Sequence, residues 1–402
     1  MKKTSIFNFS NIYIFLWLVY SLQTYVFGRA GTIYSQAILL FLLGVSIYYF
    51  IYTLNNYKMP SYMKGLCVLV AMFTIYGIIL ILNPTTYKTI SGETVSKYKY
   101  LLHIWSSLLP IYPFFVFTRQ GKLNATSLKR WVLFFFVSVT LQYYQHYQQQ
   151  LSEAMLAGSN REEFTNNFGY EFLAMIPLLA FYGKRKIIQY IGLSYTMIFI
   201  LMSMKRGAIL VSVICIIWFL LVSFKHSRSV QKIRVVVFGI IVIIAGYYVI
   251  QYLLESSDFF NQRLELTMEG DSSGRDVIYA TLVNHYLNET NPLLFLFGNG
   301  AYTPLSILGQ SAHNDWLELA LNQGVFGMLV YLLYWMGFYK STKKSRYDEE
   351  LFLAMSLLLI SNFIRSFFSM SYGDMSIYAT MCLGYCMGRL SNQKNIQGNT
   401  ST

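Results

Sequence analysis

Apolar residues run along this chain in stretches of about 17 to 25, the length needed to cross roughly 30 Å of hydrocarbon. Twelve such stretches are legible, at 11–27, 33–54, 65–83, 100–118, 131–147, 170–183, 187–204, 207–224, 235–254, 315–339, 351–370 and 374–389. In lipid each backbone N–H and C=O must find its partner within the protein, so spans of this length are expected to be helices. The pattern predicts an all-α polytopic integral membrane protein of about 12 transmembrane helices, with short polar connections. One connection is not short: residues 255–314 form a segment too long for a simple linker and are expected to carry short helices of their own. No small-residue cleavage site follows the first span, which is therefore expected to stay as an anchor.

Composition agrees with the pattern, since 55% of the 402 residues are hydrophobic and only 12% charged. That excludes an ordinary soluble domain. The basic residues give the orientation. Most of the 31 lysines and arginines fall in alternate connections: Lys2 and Lys3, Lys58 and Lys64, Arg119 to Arg130, Lys184 to Lys186, Lys225 to Arg234, Lys340 to Arg346, and Arg389 with Lys394. By the positive-inside rule these mark the cytoplasmic face, both termini are cytoplasmic, and 84–99, 148–169 and 255–314 face outward. The net charge of +13 then reflects this bias and attraction to anionic membrane lipids, not nucleic-acid binding. Residues 1–390 read as a single integral-membrane domain and 391–402 as a polar cytoplasmic tail. Cys67, Cys215, Cys382 and Cys386 lie inside predicted spans as small apolar residues, so neither a disulfide framework nor a metal site is expected, and no cofactor is implied.

Ionisable residues at the edge of a span are costly and ask for a partner or a function. Glu171, Lys205, Arg206, Glu318 and Arg365 all map to the outward half. Glu171 and Arg365 have a bland reading, pairing with each other or with backbone. Within 255–314, "DSSGRDVIYATLVNHYLNETNP" predicts a helix: Ser272 or Ser273 caps it, Val277, Ile278, Leu282 and Tyr286 recur at helical spacing, and Asn291 with Pro292 stop it. Arg275 then falls in the first turn, where a cation is unfavourable against the dipole unless an anion shares the site. The competing reading is a salt bridge to Glu269 or Asp271. Downstream, "GNGAYTP" places Gly298 and Gly300 where the backbone turns tightly near a ligand or helix. Then "SAHNDWLELALNQGVFG" sets His313, Asn314 and Asp315 at the mouth of a span, with Gly324 and Gly327 expected to pack helices closely.

That last stretch closely resembles the His-Asn motif, with downstream Leu and two glycines, of the O-antigen polymerase and O-antigen ligase superfamily of bacterial envelope enzymes. "SMKRGAIL" resembles the family's Ser-x-x-Arg stretch between two spans, "SSGRDVIY" its Gly-Arg opening of a large periplasmic loop, and "FTNNFGYEFLAMIPLL" its Asn-rich helix entry, which includes Asn167. Tyr279 stands where the family usually has Trp, and Asn166 where it has Pro. The resemblance covers roughly residues 160–340. It implies an inverting, metal-independent type C glycosyltransferase acting on undecaprenyl-diphosphate-linked oligosaccharide at the outer face of the bacterial cytoplasmic membrane. Arg206 and Arg275 match the family's functional arginines, expected to stabilise the departing diphosphate. His313 matches its histidine; an imidazole titrates near neutrality and suits a general base. Asp315 either orients His313 or is itself the base, and Lys205, Asn314, Glu318, Arg365 and Asn167 are expected in support. The implied partners are the lipid-linked donor, a glycan acceptor and, for chain length, a regulator protein. A repeat-unit polymerase is the favoured activity, on the AT-rich residue bias of polysaccharide loci; a ligase to the lipid A core is the alternative. A transporter or flippase is disfavoured by the peripheral charges and few prolines.

Overall fold

The computed structural model describes residues 8–156, 165–183, 185–227, 229–256, 258, 260–262, 265, 274–373 and 375–399. Among them the chain is nearly all helix. Six helices are long and apolar enough to cross a membrane: Ile33–Asn56, Ser61–Leu82, Tyr98–Arg119, Arg206–His226, Ser229–Tyr252 and Asp315–Lys344. The apolar helices Phe9–Ser21, Gly169–Tyr182 and Lys186–Met202 are shorter. At 1.5 Å per residue, the 17 residues of Lys186–Met202 reach about 26 Å, just short of a full bilayer core. These helices make the chain a multi-pass membrane protein.

The chain divides into two compact units. The first holds Met1–Leu128, Arg275–Tyr347 and Asn362–Thr402. Its axis is Asp315–Lys344, packed on Ser61–Leu82. Their backbones meet closely because Gly65 faces Tyr334 and Gly337 faces Ser61; a Cβ on Gly337 would lie 2.6 Å from the Ser61 carbonyl oxygen. Where lipid supplies no hydrophobic drive, small residues that let backbones approach are what hold helices together. Ile377–Asn399 packs on Ile111–Arg119 in the same way, with Gly384 and Gly388, one turn apart, seated on Phe114 and Thr118.

The second unit holds Lys129–Gly274 and Asp348–Ser361. Here aromatic contacts dominate. Phe172 of Gly169–Leu179 stacks on Phe199 of Lys186–Met202 at 4.6 Å, and Tyr190 stacks on Phe238 at 4.1 Å. Trp218 donates its indole N–H to Ser356 Oγ at 2.8 Å, and Lys186 pairs with Glu349 at 3.9 Å. Helix Ser229–Ser256 presents Ile240, Ile243 and Tyr248 outward, an apolar surface suited to lipid.

The described part of the long connection carries three short helices, Arg275–Leu287, Pro292–Phe297 and Thr303–Leu308. The predicted helix is present, though its apolar face is narrower than expected: Leu282 is buried with Ile278 and Tyr286 beside it, while Val277 is 66% exposed. Ser272, Ser273, Glu269 and Asp271, the predicted caps and ion-pair partners, lie outside the described residues.

Candidate functional site

In the first unit the predicted entry motif is built around a helix cap. Asn314 adopts an extended conformation and its Oδ1 accepts the Trp316 and Leu317 N–H groups at 2.9 and 3.1 Å, the arrangement that satisfies orphan donors at a helix start. Its Nδ2 donates to the Phe367 carbonyl at 2.9 Å. Asp315 and Glu318 follow in the first turn, where acidic residues suit the dipole. To present this cap the chain must turn sharply, and His313 takes a left-handed φ of 52° with its side chain exposed. A non-glycine residue held there is strained and marks a site the surroundings over-determine.

Asp315 is fully buried. Its Oδ1 accepts the Ser371 N–H at 2.9 Å, and its Oδ2 accepts the Tyr331 hydroxyl at 2.6 Å and the Ser371 hydroxyl. Its own N–H donates to the Ser366 carbonyl at 2.9 Å. The carboxyl group therefore fastens the start of its helix to the turn 366–371. Arg365 holds the other side of that turn: it ends helix Glu349–Arg365, is 7% exposed, and donates from Nη2 to the Met370 carbonyl at 3.0 Å. Of its two bland readings, the pairing with backbone is present. It also interacts electrostatically with Asp315.

Arg275 is the first residue of helix Arg275–Leu287, entered from Gly274 at φ 76°. One turn on, the Tyr279 hydroxyl donates to the His313 carbonyl at 3.1 Å and also interacts with Asn314. Burial pushes the Tyr279 phenol above its ordinary range, opposed by the nearby Arg275 charge and the Asn314 hydrogen bond, so the hydroxyl keeps its proton and stays a donor. The cluster of Leu282, Ala312 and Leu321, flanked by Ile278, Tyr286 and Leu317, seats this helix beside the His313 turn. Arg275 and His313 are thus joined by one helical turn and one hydrogen bond. Among the described residues no ion pair to Arg275 is present.

Glu318, 6% exposed, accepts the Ala312 N–H at Oε2 (2.8 Å) and a long 3.4 Å bond from Asn322 at Oε1. Just beyond, helix Asp315–Lys344 breaks at Gly324, whose φ of 64° and ψ of −157° are open to glycine. A Cβ there would lie 2.6 Å from the Phe295 carbonyl oxygen. The break frees carbonyls that the loop recaptures: Asn299 N–H donates to the Leu321 carbonyl at 2.9 Å and Gly300 N–H to the Asn322 carbonyl at 3.0 Å, while Thr303 N–H donates to the side-chain Oδ1 of Asn322 at 2.9 Å. Irregular backbone in a membrane helix persists only where such partners exist. Gly298 sits against Asn322 and Gln323 as the sequence suggested, and Gly324 packs on Pro292–Phe297; Gly327, by contrast, is crowded by Gln323 of its own helix.

The other candidates belong to the second unit. Arg206 is the first residue of helix Arg206–His226, preceded by Lys205, whose side chain makes no capping bond. Each of the two predicted arginines therefore opens a helix, a placement the sequence had revealed for Arg275 only. Asn166 is buried, donates its N–H to the Ser203 carbonyl at 2.8 Å and accepts the Phe168 N–H at 2.9 Å. It joins the Asn-rich entry to the turn before Lys205, while Asn167 is exposed. Among the described residues no group of three or more His, Cys, Asp or Glu side chains is placed to hold a metal ion.

The family model described as O-antigen ligase matches residues 191–332. The match takes in Lys205, Arg206, Arg275, Tyr279, His313, Asn314, Asp315 and Glu318, and it bears out the resemblance to the O-antigen polymerase and ligase superfamily over that segment. No curated protein matches the chain.

Proposed function

We propose that the chain is a glycosyltransferase which moves a glycan from a polyprenyl diphosphate to a sugar hydroxyl at the outer face of the cytoplasmic membrane. Its residues 1–390 act as one integral-membrane domain, with both termini in the cytoplasm. The observation that carries this reading is the Tyr279–His313 hydrogen bond, because it ties a helix-opening arginine to an exposed histidine. An arginine at the start of a helix suits phosphate oxygens. The histidine, held in a fixed backbone conformation, suits a proton acceptor.

The chemistry follows. The acceptor oxygen attacks C1 of the donor sugar from the face opposite the diphosphate, the bond from C1 to the diphosphate oxygen breaks, and the acceptor proton passes to the His313 imidazole. The diphosphate leaves on its lipid with its charge held by Arg275. Inversion at C1, independence from metal, and the matching role of Arg206 rest on the resemblance alone. Asn314, Asp315 and Arg365 are positioning residues for His313.

Two products fit this step. Extension of one lipid-linked glycan by another, the repeat-unit polymerase reaction of O-antigen, capsule or exopolysaccharide, is the reading composition favours. Transfer to a lipid A core is favoured by the description of the matched family. Purified protein given lipid-diphosphate repeat units alone makes a ladder of products if it is a polymerase; a product only when lipid A core is added identifies the ligase. No transfer under either condition would refute the proposal.

A further inference from the structure

The first unit holds a cavity of about 540 Å³. Its lining includes Lys99, Tyr100, His103, Tyr302, Glu318 and Tyr372, and its size falls in the roughly 300–1,000 Å³ range of small-molecule sites. We infer that it binds sugar rings of the acceptor glycan, a reading that rests on the proposed glycosyl transfer and deepens it.

Three observations select that ligand. The walls are tyrosine-rich: Tyr302 meets Tyr100 at 5.4 Å and Tyr87 at 5.7 Å, edge to face. Such rings offer an apolar body and a polar tip, matching the C–H faces and hydroxyls of a pyranose. Second, Glu318 brings into the cavity a nearly buried carboxyl whose Oε1 accepts, among the described residues, only a long 3.4 Å bond from Asn322, leaving it able to accept from ligand hydroxyls. An apolar lipid tail would leave that oxygen poorly satisfied. Third, Tyr302 is held at φ 70°, and the next residue, Thr303, donates its N–H to Asn322 Oδ1 and its hydroxyl to the Gly300 carbonyl. The strained backbone fixes a tyrosine on the cavity wall. The site also adjoins the catalytic turn, because Glu318 Oε2 accepts the N–H of Ala312, the residue before His313.

The test is direct binding of lipid-free repeat-unit oligosaccharide, prepared from the host's own polysaccharide, to purified detergent-solubilised protein, read by saturation-transfer NMR. Leu305→Trp fills the cavity from its wall and leaves Glu318 in place; Glu318→Gln keeps shape and removes charge. Binding to the unaltered protein, lost in Leu305→Trp and weakened about tenfold in Glu318→Gln as a charge-assisted bond is lost, supports the assignment. No binding to the unaltered protein, or equal binding by Leu305→Trp, overturns it. Glycosyl transfer is assayed separately on the unaltered protein. Failure there counts against the proposed function, whereas an active enzyme whose acceptor KM is unmoved by Leu305→Trp counts against the cavity alone.

Discussion

Asp315 separates two readings of the entry motif, as a base or as a brace, and the structure gives a magnitude for each. Its carboxyl group accepts from Ser371 N–H, Ser371 Oγ and Tyr331 Oη in a fully buried setting. In Asp315→Asn the amide oxygen still accepts the Ser371 N–H, and the two amide hydrogens go to the Tyr331 and Ser371 hydroxyl oxygens, since both hydroxyls can turn round. Shape and bond count survive, so transfer rate should fall less than about tenfold, the equivalent of about 1.4 kcal/mol. Asp315→Ala is different. It removes all three acceptor contacts, and although the Tyr331 and Ser371 hydroxyls already lie 3.2 Å apart and can satisfy each other, the buried Ser371 N–H is left without a partner. An orphaned buried donor costs about 1–3 kcal/mol. With the lost packing of the side chain, Asp315→Ala should lower stability by about 2–5 kcal/mol. Thermal unfolding in detergent and initial rates on one lipid-diphosphate substrate measure both quantities. An Asp315→Asn protein that unfolds normally yet has lost transfer a thousandfold would refute the brace and make Asp315 the base.

Tyr279→Phe deletes the bond to His313, and at about 0.5–1.5 kcal/mol per neutral hydrogen bond the rate should fall by about three- to tenfold with the fold intact. Tyr279→Trp, which restores a donor and matches the residue usual in similar proteins, should recover more activity than Phe; rate assays on the two side by side decide it. Arg275→Lys keeps the charge but loses the two-pronged donor geometry, so donor turnover should be mostly lost while membrane insertion, followed by fractionation, is normal. Near-normal product from that variant would reduce Arg275 to a structural charge. Cysteine placed at Asn288 should react with an impermeant thiol reagent added to intact cells; labelling only after the inner face is opened would reverse the assigned orientation.

Much of the frame was legible because its causes are local. Apolar length marked the helices, and the Ile278, Leu282, Tyr286 spacing marked the helix that Arg275 opens. Asn314 was visible as a residue type that caps. Less visible were roles set by distant partners. Tyr331 and Ser371, 16 and 56 residues away, converge on the Asp315 carboxyl group, and no local pattern encodes that. Gly324 packs on helix Pro292–Phe297 as expected but also breaks its own helix, and Asn299 and Gly300 supply donors for the freed carbonyls. Gly384 and Gly388 pack helices as Gly327 was expected to; the signal was the same small residue at helical spacing, and the partner helix could not be read from it. The cavity containing Glu318 joins residues from five separate parts of the chain, so neither spacing nor composition could have assembled it.

The proposed chemistry has His313 accept the acceptor's proton while Arg275 holds the diphosphate. Its most direct test is the turnover of purified His313→Ala and His313→Gln on one defined lipid-diphosphate donor and acceptor, with donor binding measured on the same preparations. Loss of a positioned general base should lower kcat by roughly 10² to 10⁴ fold in both variants, with donor affinity unchanged because Arg275 is intact. A His313→Gln protein that turns over at a rate near that of the unaltered enzyme would contradict it, since glutamine keeps size and hydrogen bonding but cannot take the proton.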